Sequence, residues 1–89
     1  TVVRLNNTSG GTITLGTTTP VIANGQNGQI LVIVNSSANR VDLPDETITA
    51  GSNLRLNGAA TYQMGQRDTI TLMYSSDVGD WVEIGRSNN

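Results

Sequence analysis

Apolar residues along this chain mostly alternate with polar ones, and no 3.6-residue apolar period survives three turns. Val2-Val3-Arg4-Leu5 predicts a first strand, closed by the turn Asn6 to Gly11. Thr12-Ile13-Thr14-Leu15 alternates strictly, which sets Ile13 and Leu15 on one face. Pro20-Val21-Ile22-Ala23 reads as an edge-type segment, since proline cannot donate to a ladder. The most apolar stretch is Ile30-Leu31-Val32-Ile33-Val34, bounded by Gly28-Gln29 and Asn35. Ile30, Val32 and Val34 fall on one side of that strand, Leu31 and Ile33 on the other, so it reads as buried on both faces. It is expected to turn through Ser36 to Asn39 into Arg40-Val41-Asp42-Leu43 as a hairpin. Pro44-Asp45-Glu46 signals a turn. Asn53-Leu54-Arg55-Leu56 alternates again, followed by the hairpin-type pair Asn57-Gly58. A last pair, Thr69 to Tyr74 and Trp81 to Ile84, is joined by Ser75 to Asp80. The strand–turn–strand unit recurs at uneven spacing and does not read as a solenoid. The pattern predicts one all-β domain over 1–89, a small antiparallel β-sandwich or jelly-roll-like barrel.

Length makes the two-faced strand consequential. A chain of 89 residues forms one domain, with a radius of gyration of about 12 Å when folded. It buries only about 60–65% of its unfolded surface and gains much from oligomerisation. A partner subunit is therefore expected to cover the second face, with Ile30, Leu31, Val32, Ile33, Val34 and Trp81 as candidate interface or core residues.

Composition narrows the chemistry. There is no Cys for a disulfide or thiolate zinc site, and no His as general base or metal ligand. All five cations are arginines, and the net charge of −2 offers no footprint for nucleic acid. No apolar run approaches the ~20 residues of a membrane helix, so no membrane insertion is expected. Serines abound, but neither His nor Lys is present to activate one, so the chain is read as not an enzyme. Asp42, Asp45 and Glu46 could mimic a glycosidase pair, yet in a turn they read as solvated loop charges. Asp77 and Asp80 could offer oxygens to calcium, but the EF-hand spacing is missing and no cofactor is expected. Asn6, Asn7 and Asn35 match the glycosylation triplet, as chance predicts in so Asn-, Ser- and Thr-rich a chain. The aromatics are Trp81, Tyr74 and Tyr62. Tyr74, Asp80 and Trp81 are candidate glycan contacts, although a lone tryptophan opening an alternating strand more often packs in a core or interface. Arg4, Arg55 and Arg86 could pair with carboxylates across a subunit boundary or stand solvated on strand faces. The tail Arg86 to Asn89 is polar and reads as the end of the domain.

Three segments taken in order carry a resemblance: Asn24-Gly25-Gln26-Asn27-Gly28-Gln29-Ile30, Gly51 to Leu56, and Asp68-Thr69-Ile70-Thr71-Leu72 leading to Trp81-Val82-Glu83-Ile84-Gly85-Arg86-Ser87. Together they resemble the small distal β-domains of bacteriophage tail fibres and tailspikes, and similar sequences occur in prophage-encoded collagen-like proteins. The resemblance implies a homotrimeric module, a C-terminal fragment of a longer fibre protein, that fixes register in the virion. It also implies an alternative role as a receptor- or carbohydrate-binding tip contacting bacterial surface polysaccharide.

Overall fold

A computed structural model describes residues 1–16 and 21–89 of the chain. Among the described residues eight strands form: β1 (Val2–Leu5), β2 (Ile13–Thr14), β3 (Ile30–Asn35), β4 (Val41–Leu43), β5 (Leu54–Arg55), β6 (Tyr62–Met64), β7 (Thr69–Ser75) and β8 (Asp80–Ser87). No α-helix occurs among the described residues, and one 3-10 turn spans Asn57–Ala59. A five-stranded sheet has the order β1-β3-β7-β8-β5, and a three-stranded sheet the order β2-β4-β6. The fold is all-β, but both sheets are mixed: β1–β3, β2–β4 and β5–β8 run parallel, while β3–β7, β4–β6 and β7–β8 run antiparallel. The Cα radius of gyration is 12.1 Å.

The parallel pairs overturn two expected hairpins. β3 and β4 lie in different sheets, as do β5 and β6, so Asn35–Asn39 and Asn57–Ala59 are crossings between sheets. The hairpin of β7 and β8 does form; it turns over 76–79, where Gly79 takes φ 73° and donates N–H to Ser75 O at 2.9 Å. Val21 to Ala23 form no strand, and Pro20 lies outside the described residues. β6 has no counterpart in the alternation of the sequence. The polar tail is tied down: β8 runs to Ser87, Asn89 N–H donates to Asp68 Oδ1 at 2.7 Å, and Asn89 Nδ2 donates to Arg67 O at 2.9 Å.

The core lies between the sheets. Leu31, Ile33, Ile70, Leu72, Tyr74, Leu54 and Trp81 point inward from one, and Val41, Leu43, Tyr62 and Met64 from the other. Strict alternation makes this possible, since β7 has every second residue buried from Ile70 to Tyr74. β3 alternates as well, and so the reading of it as buried on both faces does not hold within one chain. Leu31, Ile33 and Asn35 are buried, whereas Val32 and Val34 are half-buried and Ile30 is 43% exposed.

Segments 5–15 and 33–43 form two rungs of a parallel coil, β1 lying beside β3 and β2 beside β4, a repeat hidden from the hairpin reading. In each, the chain leaves the larger sheet at an asparagine and enters the smaller one. Asn7 Oδ1 accepts from the N–H and Oγ–H of Ser9, and its Nδ2 donates to Gly11 O and to Arg40 O at 2.8 and 2.9 Å. Asn35 Oδ1 accepts from the N–H and Oγ–H of Ser37, and its Nδ2 donates to Asn39 O and to Met64 O at 3.0 and 2.9 Å. Both belong to the triplets that match a glycosylation acceptor, yet both are buried and fully bonded.

Candidate interaction face

The side of the five-stranded sheet away from the core carries three cross-strand rows. Ile30, Met73 and Val82 form the first and end at Arg55. Val2, Val32, Thr71 and Gly85 form the second, and Arg4, Val34, Thr69 and Ser87 the third. Character therefore grades from apolar to polar along the strands. β8 carries a bulge opposite Thr71 and Leu72, where Ile84 is the extra residue. Val2, Ile30 and Ile84 are 58, 43 and 55% exposed, a large apolar exposure for so short a chain. An open cleft of about 500 Å³ borders this face and is lined by Arg55, Leu56, Asn57, Val82, Glu83 and Ile84 among others.

Charges around the cleft are paired within the chain. Arg55 Nε lies 2.8 Å from Asp80 Oδ2, and this hydrogen bond raises the guanidinium pKa despite some desolvation. Arg86 donates through Nε and an η-nitrogen to both oxygens of Glu83 at 2.7 Å, and stands 4.0 Å over the Tyr62 ring. Its hydrogen bond holds the Glu83 carboxyl below its ordinary range, against burial and with help from Asn57 N–H. Arg55 and Arg86 thus find carboxylate partners within the same chain. Arg4 makes no ion pair among the described residues.

The candidate glycan contacts are placed elsewhere. Trp81 is 2% and Tyr74 7% exposed, packed edge to face with centroids 5.3 Å apart. Trp81 Nε1 donates to Ala23 O at 3.1 Å, and a Cβ built on Gly25 would stand 2.8 Å from the indole. The ring therefore anchors loop 21–29 to the core and offers no plane to a sugar. Asp80, the third candidate, is occupied by Arg55. Of the interface candidates, Leu31, Ile33 and Trp81 are core, and Ile30, Val32 and Val34 are on the outer face.

Asp45 corrects the reading of solvated turn charges. It is 2% exposed; Oδ2 accepts from Thr47 N–H and Oγ–H at 2.9 and 2.6 Å, and Oδ1 from Leu56 N–H at 2.6 Å. Burial pushes its carboxyl up, but these donors together outweigh that and hold it below the ordinary range. Asp42 is held by Arg40, whose Nε lies 2.9 Å from Oδ1 without hydrogen-bond alignment and whose Nη2 donates to Oδ2 at 3.3 Å. Asn53 was not visible as an organiser from sequence. Its Oδ1 accepts from Val21 N–H at 3.1 Å and its Nδ2 donates to Ile22 O at 2.6 Å, fixing the loop that covers Trp81. An Asn or Asp just past an apolar run is the signal that would have found Asn7, Asn35 and Asp45. No cluster of metal-ligating side chains occurs among the described residues. Comparison with known protein families, curated proteins and solved structures found no match for this chain.

Proposed function

We propose that this chain is a structural module that assembles as a homotrimer and fixes register in a phage-type tail fibre or tailspike. One observation carries the reading: among the described residues, the outer face of the five-stranded sheet presents exposed Val2, Ile30 and Ile84 beside half-buried Val32, Met73 and Val82. Covering such a face is worth roughly 25 cal/mol per Å² before the entropy of association is subtracted. The apolar-to-polar grading supplies a register, because sliding a partner along the strands would set Ile30 and Met73 against Arg4 and Ser87. The threefold symmetry and the place in a fibre rest on the sequence resemblance.

Light scattering at tens of micromolar tests the assembly. The expected molar mass is three times that of the 9.4 kDa chain. Ile30→Asp combined with Met73→Glu should lower it to one chain with the β circular-dichroism spectrum retained. A wild-type mass of 9.4 kDa at those concentrations would overturn the proposal.

A further inference from the structure

Among the described residues the two rungs leave one end of the coil open, and both open edges belong to the same rung. β1 is the edge of the larger sheet and β2 the edge of the smaller. Val32 N–H donates to Thr1 O, Ser36 N–H to Leu5 O, Ile13 N–H to Arg40 O and Leu15 N–H to Asp42 O. In parallel pairing the alternate residues turn their backbone groups the other way, so those of Val2, Arg4, Thr12 and Thr14 face outward. Edges are usually blunted by proline, a bulge or charged side chains; β1 and β2 contain neither proline nor bulge, and their one charge is Arg4. The corner shows what would fit there. Asn7 Nδ2 reaches across to Arg40 O of the next rung, and Asn35 Nδ2 to Met64 O of the layer beyond. Thr12 precedes Ile13 as Arg40 precedes Val41, the residue paired with Ile13, so its carbonyl is the acceptor offered to an asparagine stacked above Asn7.

We infer that the paired edges of β1 and β2 dock one further rung: an extended polypeptide segment of strand–Asn-x-Ser/Thr–strand pattern, running parallel to residues 1–15, its corner asparagine donating to Thr12 O. A second copy of this chain does not supply that segment. Its rung 33–43 is enclosed between β1–β2 and β6–β7, and its rung 5–15 would meet the edge antiparallel in a two-fold contact. The docking edge is thus distinct from the outer face used for assembly.

The test joins a second copy of residues 1–15 ahead of Thr1 of the full chain, through a Gly/Ser linker as long as segment 16–28. Tethering raises the effective concentration, so a failure to dock counts against the inference. Amide exchange at Val2, Arg4 and Thr14 should slow about tenfold or more relative to wild type, while protection at Ile70 reports an intact core. Asn7→Ala in the added copy alone should remove most of that slowing, and the molar mass in chains per particle should stay as in wild type. Unchanged exchange at the three amides would overturn the inference, as would equal slowing with the corner alanine, which would indicate indiscriminate edge pairing. Protection of the same three amides that rises with concentration in the wild-type chain would show that the edge pairs with its own copy, and would also overturn the inference.

Discussion

Replacing Asn35 with alanine should cost far more than replacing Asn7, although the two corners make the same set of hydrogen bonds. Asn35 is 0% exposed, and the alanine would leave Met64 O, Asn39 O and Ser37 N–H without their side-chain partner. A hydrogen bond contributes about 1 kcal/mol net, and a buried group left unpaired costs about 1–3 kcal/mol. The loss at Asn35 is therefore about 3–5 kcal/mol, against a total of about 4–13 kcal/mol for a chain of this length. At Asn7 the same groups border exposed Ser9 and Gly11, where water can replace the amide, and the loss is about 1–2 kcal/mol. Asn35→Asp adds a pH signature. In the same pose a carboxylate oxygen would face Met64 O and Asn39 O at 2.9–3.0 Å, so the folded state favours the protonated acid. A folded pKa raised above the unfolded value stabilises only below the unfolded pKa, so the deficit against wild type should widen as pH rises above about 4. Urea midpoints at pH 4 and pH 7, at one protein concentration and with unchanged m-value, read all three variants. Equal costs at Asn7 and Asn35, or a deficit for Asn35→Asp that does not grow with pH, would refute the account of the corners.

Ile33→Asp should abolish the fold or cost several kcal/mol, because Ile33 is 2% exposed, whereas Arg55→Asp should shift the midpoint much less; equal tolerance by thermal melting would overturn the face assignment. Trp81→Ala should destabilise by about 3–5 kcal/mol and free loop 21–29 to proteolysis; on a glycan array or host cells, binding lost with the fold intact would instead return the indole to a contact role. Asp45 and Glu83 both have carboxyls held below their ordinary range, so their contribution is complete at neutral pH and fades as pH falls through about 4 and lower. Acid titration of Asp45→Asn should show a shallower decline than wild type, and an identical decline would remove Asp45 from the account.

Strand positions were legible in the sequence where alternation was strict. β2 and the β7–β8 hairpin lie where the pattern puts them, as do the inward faces of Leu31 and Ile33. Pairing was not legible, because a short Asn/Ser turn can close a hairpin or carry the chain from one sheet to another. The difference lies in Asn35, whose amide bonds sideways to Met64 O in a neighbouring layer, a contact set by residues far apart in sequence. The coil was hidden for a related reason: Leu5-Asn6-Asn7-Thr8-Ser9 and Ile33-Val34-Asn35-Ser36-Ser37 share a pattern of roles with few shared letters. β6 was missed because Tyr62-Gln63-Met64 is too short to show a period. The apolar richness of β3 led to the expectation of a second buried face, whereas within the chain Val32 and Val34 are half-buried and Ile30 is exposed.

The placement of buried polar groups explains how the outer face can stay apolar. Asn7, Asn35, Ser37, Asp45, Ser52, Asn53 and Asp68 all lie at strand ends or in crossings, and each has its hydrogen bonds made there. Apart from Glu83, which is paired with Arg86, these polar groups sit away from the strand centres, and sheet-to-sheet alignment is set largely by directional bonds at the corners. With alignment secured in this way, the outer side is not needed to define the fold of one chain. Its composition can answer to a partner, and the row Ile30, Met73 and Val82 is what such a freedom permits. A charge placed on that row should therefore alter assembly while sparing the fold, whereas the loss of a corner amide should unfold the chain before any interface is tested.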